Sequence, residues 1–330
     1  MRFAVLGAGA IGAYVGAALA RGGSDVTLIA RGPHLQAMQE NGVQVLSSRG
    51  NFHAHPKATD DIEAVGDADV VFVALKAYSL PELAPRLGKA LGANATVIPA
   101  QNGIPWWYFQ SHPGPLADTT VESVDPGGAI ARSIEPERIV GCVVYCSAEI
   151  VEPGVIRHVE GTRFAIGEPD GSRSERCQRI SEAFVAGGLK CPVEDRLRDQ
   201  IWLKVIGNVA FNPVTALTRA TLGELGALPA MVELLRAILE ECAAVAAALG
   251  AELPVSLERR LEAGMAVGDH KTSMLQDLEA GKQLEIDCMS GAVIELADML
   301  GIAAPHTRAV HACAKLLDVQ MRKPMHALTV

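Results

Sequence analysis

The chain has 330 residues, 49% of them hydrophobic and only 4% aromatic, with a formal net charge of −9. That length suits two domains of ordinary size around aliphatic, alanine-rich cores. The acidic balance, with Lys and Arg scattered, disfavours a nucleic-acid partner or an anionic membrane surface.

The chain opens as "MRFAVLGAGAIG", a strand from the second residue that leaves no room for a signal peptide. The longest apolar stretch, 234–249, is interrupted by Arg236, Glu240 and Glu241, so no transmembrane span is expected. The seven cysteines are odd in number and form no CxxC pair, which fits a reducing, cytoplasmic compartment. Cys142 and Cys146 read as a strand residue and a nearby loop residue. No metal site is expected, since no second ligand pair follows at zinc spacing and no HxH or HExxH occurs.

"RFAVL" (2–6) reads as a buried strand, "GAGAIGAYVGAALARGG" (7–23) as a turn and a helix closed by two glycines, and "DVTLIAR" (25–31) as a second strand. A helix over 33–41 stops at Gly42, and short strands follow near 43–56. "DADVVFVALKAYS" (67–79) is a buried strand with a polar end, "PELAPRLGKAL" (81–91) a helix, and "ATVIPAQNG" (95–103) the next strand. Strands alternating with helices indicate parallel βαβ units. From 139 to 168 three strands, "RIVGCVVYC", "GVIRHVEG" and "RFAIGE", are expected with no helix between them. Beyond residue 195 the pattern becomes helical, over 199–217, 229–249, 255–265, 284–300 and 305–322. The expected organisation is α/β: a Rossmann-type N-terminal domain over 1–195 and an all-α C-terminal domain over 196–330. The Ala-rich helix near 234–249 leaves open whether it packs within its domain or against a second subunit in a homodimer.

"GAGAIG" places Gly7, Gly9 and Gly12 in a GxGxxG pattern, with Ala8, Ala10 and Ile11 between them, directly after a strand and directly opening a helix. Gly7 permits the tight turn, Gly9 lets the backbone approach a pyrophosphate, and Gly12 allows close helix–strand packing. The helix start then offers free N–H groups to the phosphates. The second strand ends in Ala30 and Arg31 with no acid to bind a ribose 2′-hydroxyl, and a guanidinium there suits a 2′-phosphate. The cofactor expected is therefore NADP(H). Lys76 and Asn102 lie at the carboxyl ends of two further strands, where ligands of open parallel sheets bind.

These motifs, together with "LIAR", "ALKAYS", "QNG", "WLKVIGNVAFNPVTAL", "TSMLQDLEAGKQLEID" and "SGAVIELADMLGIAAPHT", resemble the ketopantoate reductase family over nearly the whole chain. The resemblance implies reduction of 2-ketopantoate to pantoate with NADPH, in pantothenate synthesis. It implies that Lys204 is the general acid, with Asn208 and Asn212 as its partners. It also implies roles for Ser273, for Glu285, for Asn102 near cofactor and substrate, and for Ser147 near the cofactor. The sequence departs from the family's pattern at Ser290, where Asn is frequent, and at His270 in "DHKTS". The "QNGIPWWYF" and "VDPGGAI" segments look like a branch of the family with a longer insertion after the strand over 95–103.

The residues support that chemistry in their own right. Hydride addition to a ketone leaves developing negative charge on oxygen, which needs a proton or an oxyanion partner. The ammonium of Lys204 sits among apolar side chains, which favours proton release. Lys204, Asn208 and Asn212 recur every four residues and so form one polar stripe on a helix. Pro213 is expected to kink or end that helix, or to start a new one capped by Asn212. Glu285 is the candidate carboxylate for a hydroxylated substrate, and Ser273 can hydrogen-bond a substrate carboxylate. Two other readings stand beside this one: a reductase of a different branched 2-keto acid, and a non-catalytic NADP(H)-binding sensor.

Overall fold

The computed structural model describes residues 1–114 and 116–323, so residues 324–330 of the expected second domain lie outside the described residues. The chain divides into two compact units: Met1–Thr120 with Asp125–Leu197, and Val121–Val124 with the chain from Arg198 onward.

The first unit opens with β1 (Arg2–Leu6), α1 (Ala10–Arg21), β2 (Asp25–Ile29) and α2 (Gly32–Asn41). Three short strands follow: β3 (Val43–Ser47), β4 (Phe52–Ala54) and β5 (Lys57–Thr59). Then come β6 (Val70–Val73), α3 (Leu80–Ala90) and β7 (Thr96–Pro99). One sheet has the order β5-β2-β1-β6-β7, and every pairing in it is parallel. The last four residues of β1 and all of β6 and β7 are buried, as expected for strands covered on both faces. This is the Rossmann-type parallel sheet.

A second sheet, β4-β3-β9-β8, uses β8 (Gly141–Glu152) and β9 (Val155–Gly167), which pair antiparallel. Helix α1 packs on β1 and β2 of the first sheet and on β3, β8 and β9 of the second. Tyr14 of α1 stacks on His158 of β9 with ring centroids 4.8 Å apart. Phe3, Phe72, Phe164 and Phe184 form a linked ring cluster in the core.

Three expectations change here. The two strands expected over 154–168 are one continuous β9, with Gly161 at φ +70° beside an irregular stretch of the ladder. Cys146 belongs to β8 and not to a loop. Residues 175–186 form α4 (Glu175–Ala186), which the sequence reading passed over, although Ser174 caps it by accepting from Cys177 N–H. The described residues between β7 and β8 form turns and two short 3-10 helices, Pro126–Gly128 and Pro136–Arg138, and Trp107, Tyr108 and Phe109 among them are fully buried. Trp107 lies so close to Gly141 that a Cβ there would stand 2.4 Å from its ring.

The second unit is helical: α5 (Leu197–Thr218), α6 (Leu222–Gly226), α7 (Pro229–Ala248), α8 (Leu257–Met265), α9 (Ser273–Glu279), α10 (Ala292–Leu300) and α11 (Pro305–Met321). The expected helix over 284–300 is instead a π-helical turn, Asp287–Gly291, running into α10. Helix α5 continues through Pro213 to Thr218, so Asn212 caps nothing. One missing backbone bond at a proline is offset by the burial of Phe211, Val214 and Ala216 around it. Helix α7 packs on α6, α8, α10 and α11 of its own unit. Residues 121–124 join this unit through Glu295 of α10. Its carboxylate accepts the backbone N–H of Glu122 at 2.7 Å and of Ser123 at 2.8 Å, and the Ser123 hydroxyl. No helix among the described residues is long and apolar enough to cross a membrane.

Candidate active site

The glycine turn is built as its sequence demands. Gly7 has φ +94°, a left-handed conformation that favours glycine. A Cβ on Gly12 would stand 2.3 Å from the Gly7 carbonyl oxygen, so α1 can start this close to β1 only with glycine there. A Cβ on Gly9 would meet nothing within 4 Å, which leaves open space over the backbone where α1 begins. The end of β2 backs the turn, because Ile29 O accepts from both Gly7 N–H at 3.1 Å and Ala8 N–H at 2.9 Å.

Other strand ends converge on it. The position a Cβ of Gly7 would take is 2.9 Å from Leu75 N, next to Lys76. Gln101 Nε2 donates to Val73 O at 2.9 Å and Leu75 O at 3.2 Å, which fixes the start of the Gln101–Asn102–Gly103 turn beside β6. Gly7–Gly12, Lys76 and Asn102 thus all follow the carboxyl ends of strands β1, β6 and β7 of the parallel sheet. Arg31 follows β2 as the residue preceding α2. Its side chain is exposed and makes no hydrogen bond or ion pair with the described residues. Ser147 is on β8, in the second sheet, where the ladder is irregular on both sides of it.

Sequence reasoning missed His34. Its Nδ1 accepts the Gly154 N–H at 3.0 Å, tying α2 to the β8–β9 turn. Burial pushes its pKa below the ordinary value. Its Nε2 is buried without a hydrogen-bond partner. Gln101 Oε1 is likewise buried without a partner. Open space over Gly9 and these unmet polar atoms fit a bound dinucleotide.

In the helical unit, Lys204, Asn208 and Asn212 share unbroken α5. Lys204 and Asn208 are partly exposed, while Asn212 is 5% exposed and points its Nδ2 at Met289 Sδ, 3.8 Å away. Arg260 of α8, unremarked in the sequence, lies against α5 with Nε 3.4 Å from Leu203 O. Its guanidinium occupies the place a Cβ on Gly207 would need. Ser273 is the exposed first residue of α9. The capping residue is its neighbour Thr272, which accepts from Leu275 N–H and lies 2.6 Å from the Thr215 hydroxyl of α5. Glu285 is buried just ahead of the π-helical turn. Through Thr215–Thr272 and Asn212–Met289, α5 therefore holds both the segment that carries Ser273 and the one that follows Glu285. Among the described residues no group of three or more His, Cys, Asp or Glu side chains is placed to hold a metal ion.

Comparisons with known proteins agree with this architecture. Residues 3–171 match the family model described as ketopantoate reductase PanE/ApbA, and residues 196–318 match its C-terminal counterpart. A 2-dehydropantoate 2-reductase of Mesorhizobium japonicum is 43% identical over 97% of this chain and 98% of its own length. Another from Halobacterium salinarum is 31% identical, covering 93% of this chain and 96% of its own. A solved structure from Ralstonia solanacearum MolK2, provisionally named a ketopantoate reductase, superposes with a TM-score of 0.91 at 36% identity, over 97% of this chain and 98% of that one. With both halves matched and close relatives aligned nearly end to end, this chain belongs to the ketopantoate reductase family.

Proposed function

We propose that this chain reduces 2-dehydropantoate to pantoate with NADPH, the reductive step of pantothenate synthesis. The observation that carries the reading is the Lys204–Asn208 stripe, partly exposed on the mostly buried α5 of a member of this family. The relatives named 2-dehydropantoate 2-reductase support the substrate. The unpaired Arg31 after β2 supports NADPH over NADH.

NADPH, when bound, supplies the hydride for the ketone carbon. The turn Gly7–Gly12 holds the diphosphate on backbone N–H groups, Arg31 takes the 2′-phosphate, and Lys76 adds positive charge. Ser147 contributes to the cofactor site from β8. Lys204 gives its Nζ proton to the oxygen that gains charge as the carbonyl is reduced. Asn102, Asn208 and Ser273 orient the keto acid by hydrogen bonds. Asn212 steadies this arrangement from within the helical unit, and Glu285 holds the substrate hydroxyl.

The test is NADPH oxidation by purified protein on addition of 2-dehydropantoate, with NADH as the control. Absence of turnover with 2-dehydropantoate, against clear turnover with another branched 2-keto acid, would favour a second reading. His270 and Ser290, where the family's pattern changes, motivate that alternative.

A further inference from the structure

One face of α11 runs antiparallel to the segment that carries Glu285 and meets it at three points. His311, Lys315 and Asp318 are spaced four and three residues apart, so they project from the same side of the helix. His311 Nδ1 shares a hydrogen bond of 2.9 Å with Ser290 Oγ. Lys315 Nζ reaches both oxygens of Asp287, at 2.7 and 2.5 Å. Asp318, 1% exposed, accepts the backbone N–H of Leu284 at 2.9 Å and is itself paired with Arg322 at 2.9 Å. Glu285 lies between the Leu284 and Asp287 contacts. Behind it the backbone makes a π-helical turn, a geometry frequent at functional sites and costly unless it is held in place.

Helix α11 is itself held at its start. Glu241 of α7 accepts the backbone N–H of His306 at 3.0 Å and of Thr307 at 2.8 Å. The ladder is thus anchored at one end and leads to Glu285 at the other.

We infer that His311, Lys315 and Asp318 are positioning residues for Glu285, acting through Ser290, Asp287 and the Leu284 amide to fix where its carboxylate meets substrate. This rests on the proposed role of Glu285. It gives Ser290 a specific part: its short hydroxyl closes the rung to His311 at a position where the family pattern often carries Asn. It also explains why Asp287, two residues from Glu285, carries a charge that Lys315 matches.

The experiment compares Lys315→Met and Ser290→Ala with the parent, each alone and combined with Glu285→Gln. The readouts are KM and kcat for 2-dehydropantoate, the NADPH dissociation constant, and amide hydrogen exchange over 284–291. We expect faster exchange over 284–291, an unchanged NADPH constant, and a rise in KM of about tenfold. In the Glu285→Gln background that rise disappears, because the ladder acts only through the carboxylate. Unchanged exchange, or a KM effect of equal size in both backgrounds, overturns the inference. If Glu285→Gln alone keeps the parental KM, the role of Glu285 falls, and the inference with it.

Discussion

Arg176 of α4 grips the buried carboxylate of Glu168 with two nitrogens, Nε at 2.7 Å from Oε1 and Nη2 at 2.5 Å from Oε2. Nη2 also donates to Ile139 O at 3.0 Å, and Ser174 adds a hydroxyl to the same carboxylate at 2.5 Å. Burial alone would raise the Glu168 pKa, but the hydrogen bonds from Arg176 and Ser174 outweigh it and hold it below the ordinary value. Arg176→Met leaves that carboxylate buried without its cation and is expected to destabilise the first unit by about 3 kcal/mol. Urea unfolding at neutral pH measures it. The loss should shrink as the pH falls through the Glu168 pKa, because a neutral carboxyl no longer needs the guanidinium.

Lys204→Ala should lower kcat about a hundred- to ten-thousand-fold while NADPH still binds, as expected for loss of a general acid. Steady-state kinetics with a fluorescence titration of NADPH separate the two effects. Undiminished turnover would remove Lys204 from the mechanism.

Arg31→Ala should weaken NADPH binding about 10- to 100-fold and leave NADH nearly untouched, the cost of losing charge-assisted hydrogen bonds to one phosphate. Titrating both nucleotides into both proteins checks it. Equal losses for the two would assign Arg31 elsewhere.

Gly12→Ala sets a new methyl against the Gly7 carbonyl, with only 2.3 Å between their positions. Backbone rather than a flexible side chain must yield, so a cost of about 1–3 kcal/mol is expected, together with loss of NADPH affinity. Thermal melts with and without NADPH report both. A variant that melts and binds like the parent would mean that the turn is looser than its geometry implies.

Stability should fall on mild acidification. Burial lowers the pKa of His34 and of His311 from the ordinary 6.5, so the unfolded chain takes up these protons first as the pH drops. The contribution is complete above 6.5 and is lost progressively down to the lowered native values, where it levels off. Asp287 opposes the His311 shift and Lys315 reinforces it, so Lys315→Met should flatten the pH slope. Denaturation curves across about pH 8 to 5 give that slope directly. An identical slope in the variant would place the linkage in other groups.

What the sequence makes legible here is whatever repeats at short range. The glycine turn, the apolar strands and the four-residue stripe on α5 each depend on spacing within one element, and a linear reading recovers such spacing. The short helices α6 and α9 lack that periodicity, and only their caps announce them. Thr221 and Glu224 form a capping box, and Thr272 accepts from Leu275 N–H. The ladder from α11 was invisible for a different reason. His311, Lys315 and Asp318 acquire meaning only against Ser290, Asp287 and Leu284, and nothing in either stretch names the other. Pro213 neither ends α5 nor opens a new helix, because burial around it outweighs the local propensity that a linear reading weighs.

The helical unit takes four residues, Val121–Val124, from far upstream in the chain. A hybrid made by exchanging everything after residue 197 with a relative would move Glu295 without the Glu122 and Ser123 amides it accepts from. The helical half is therefore not a single cassette. Grafting it whole requires a second, four-residue transplant more than seventy positions upstream of the main junction.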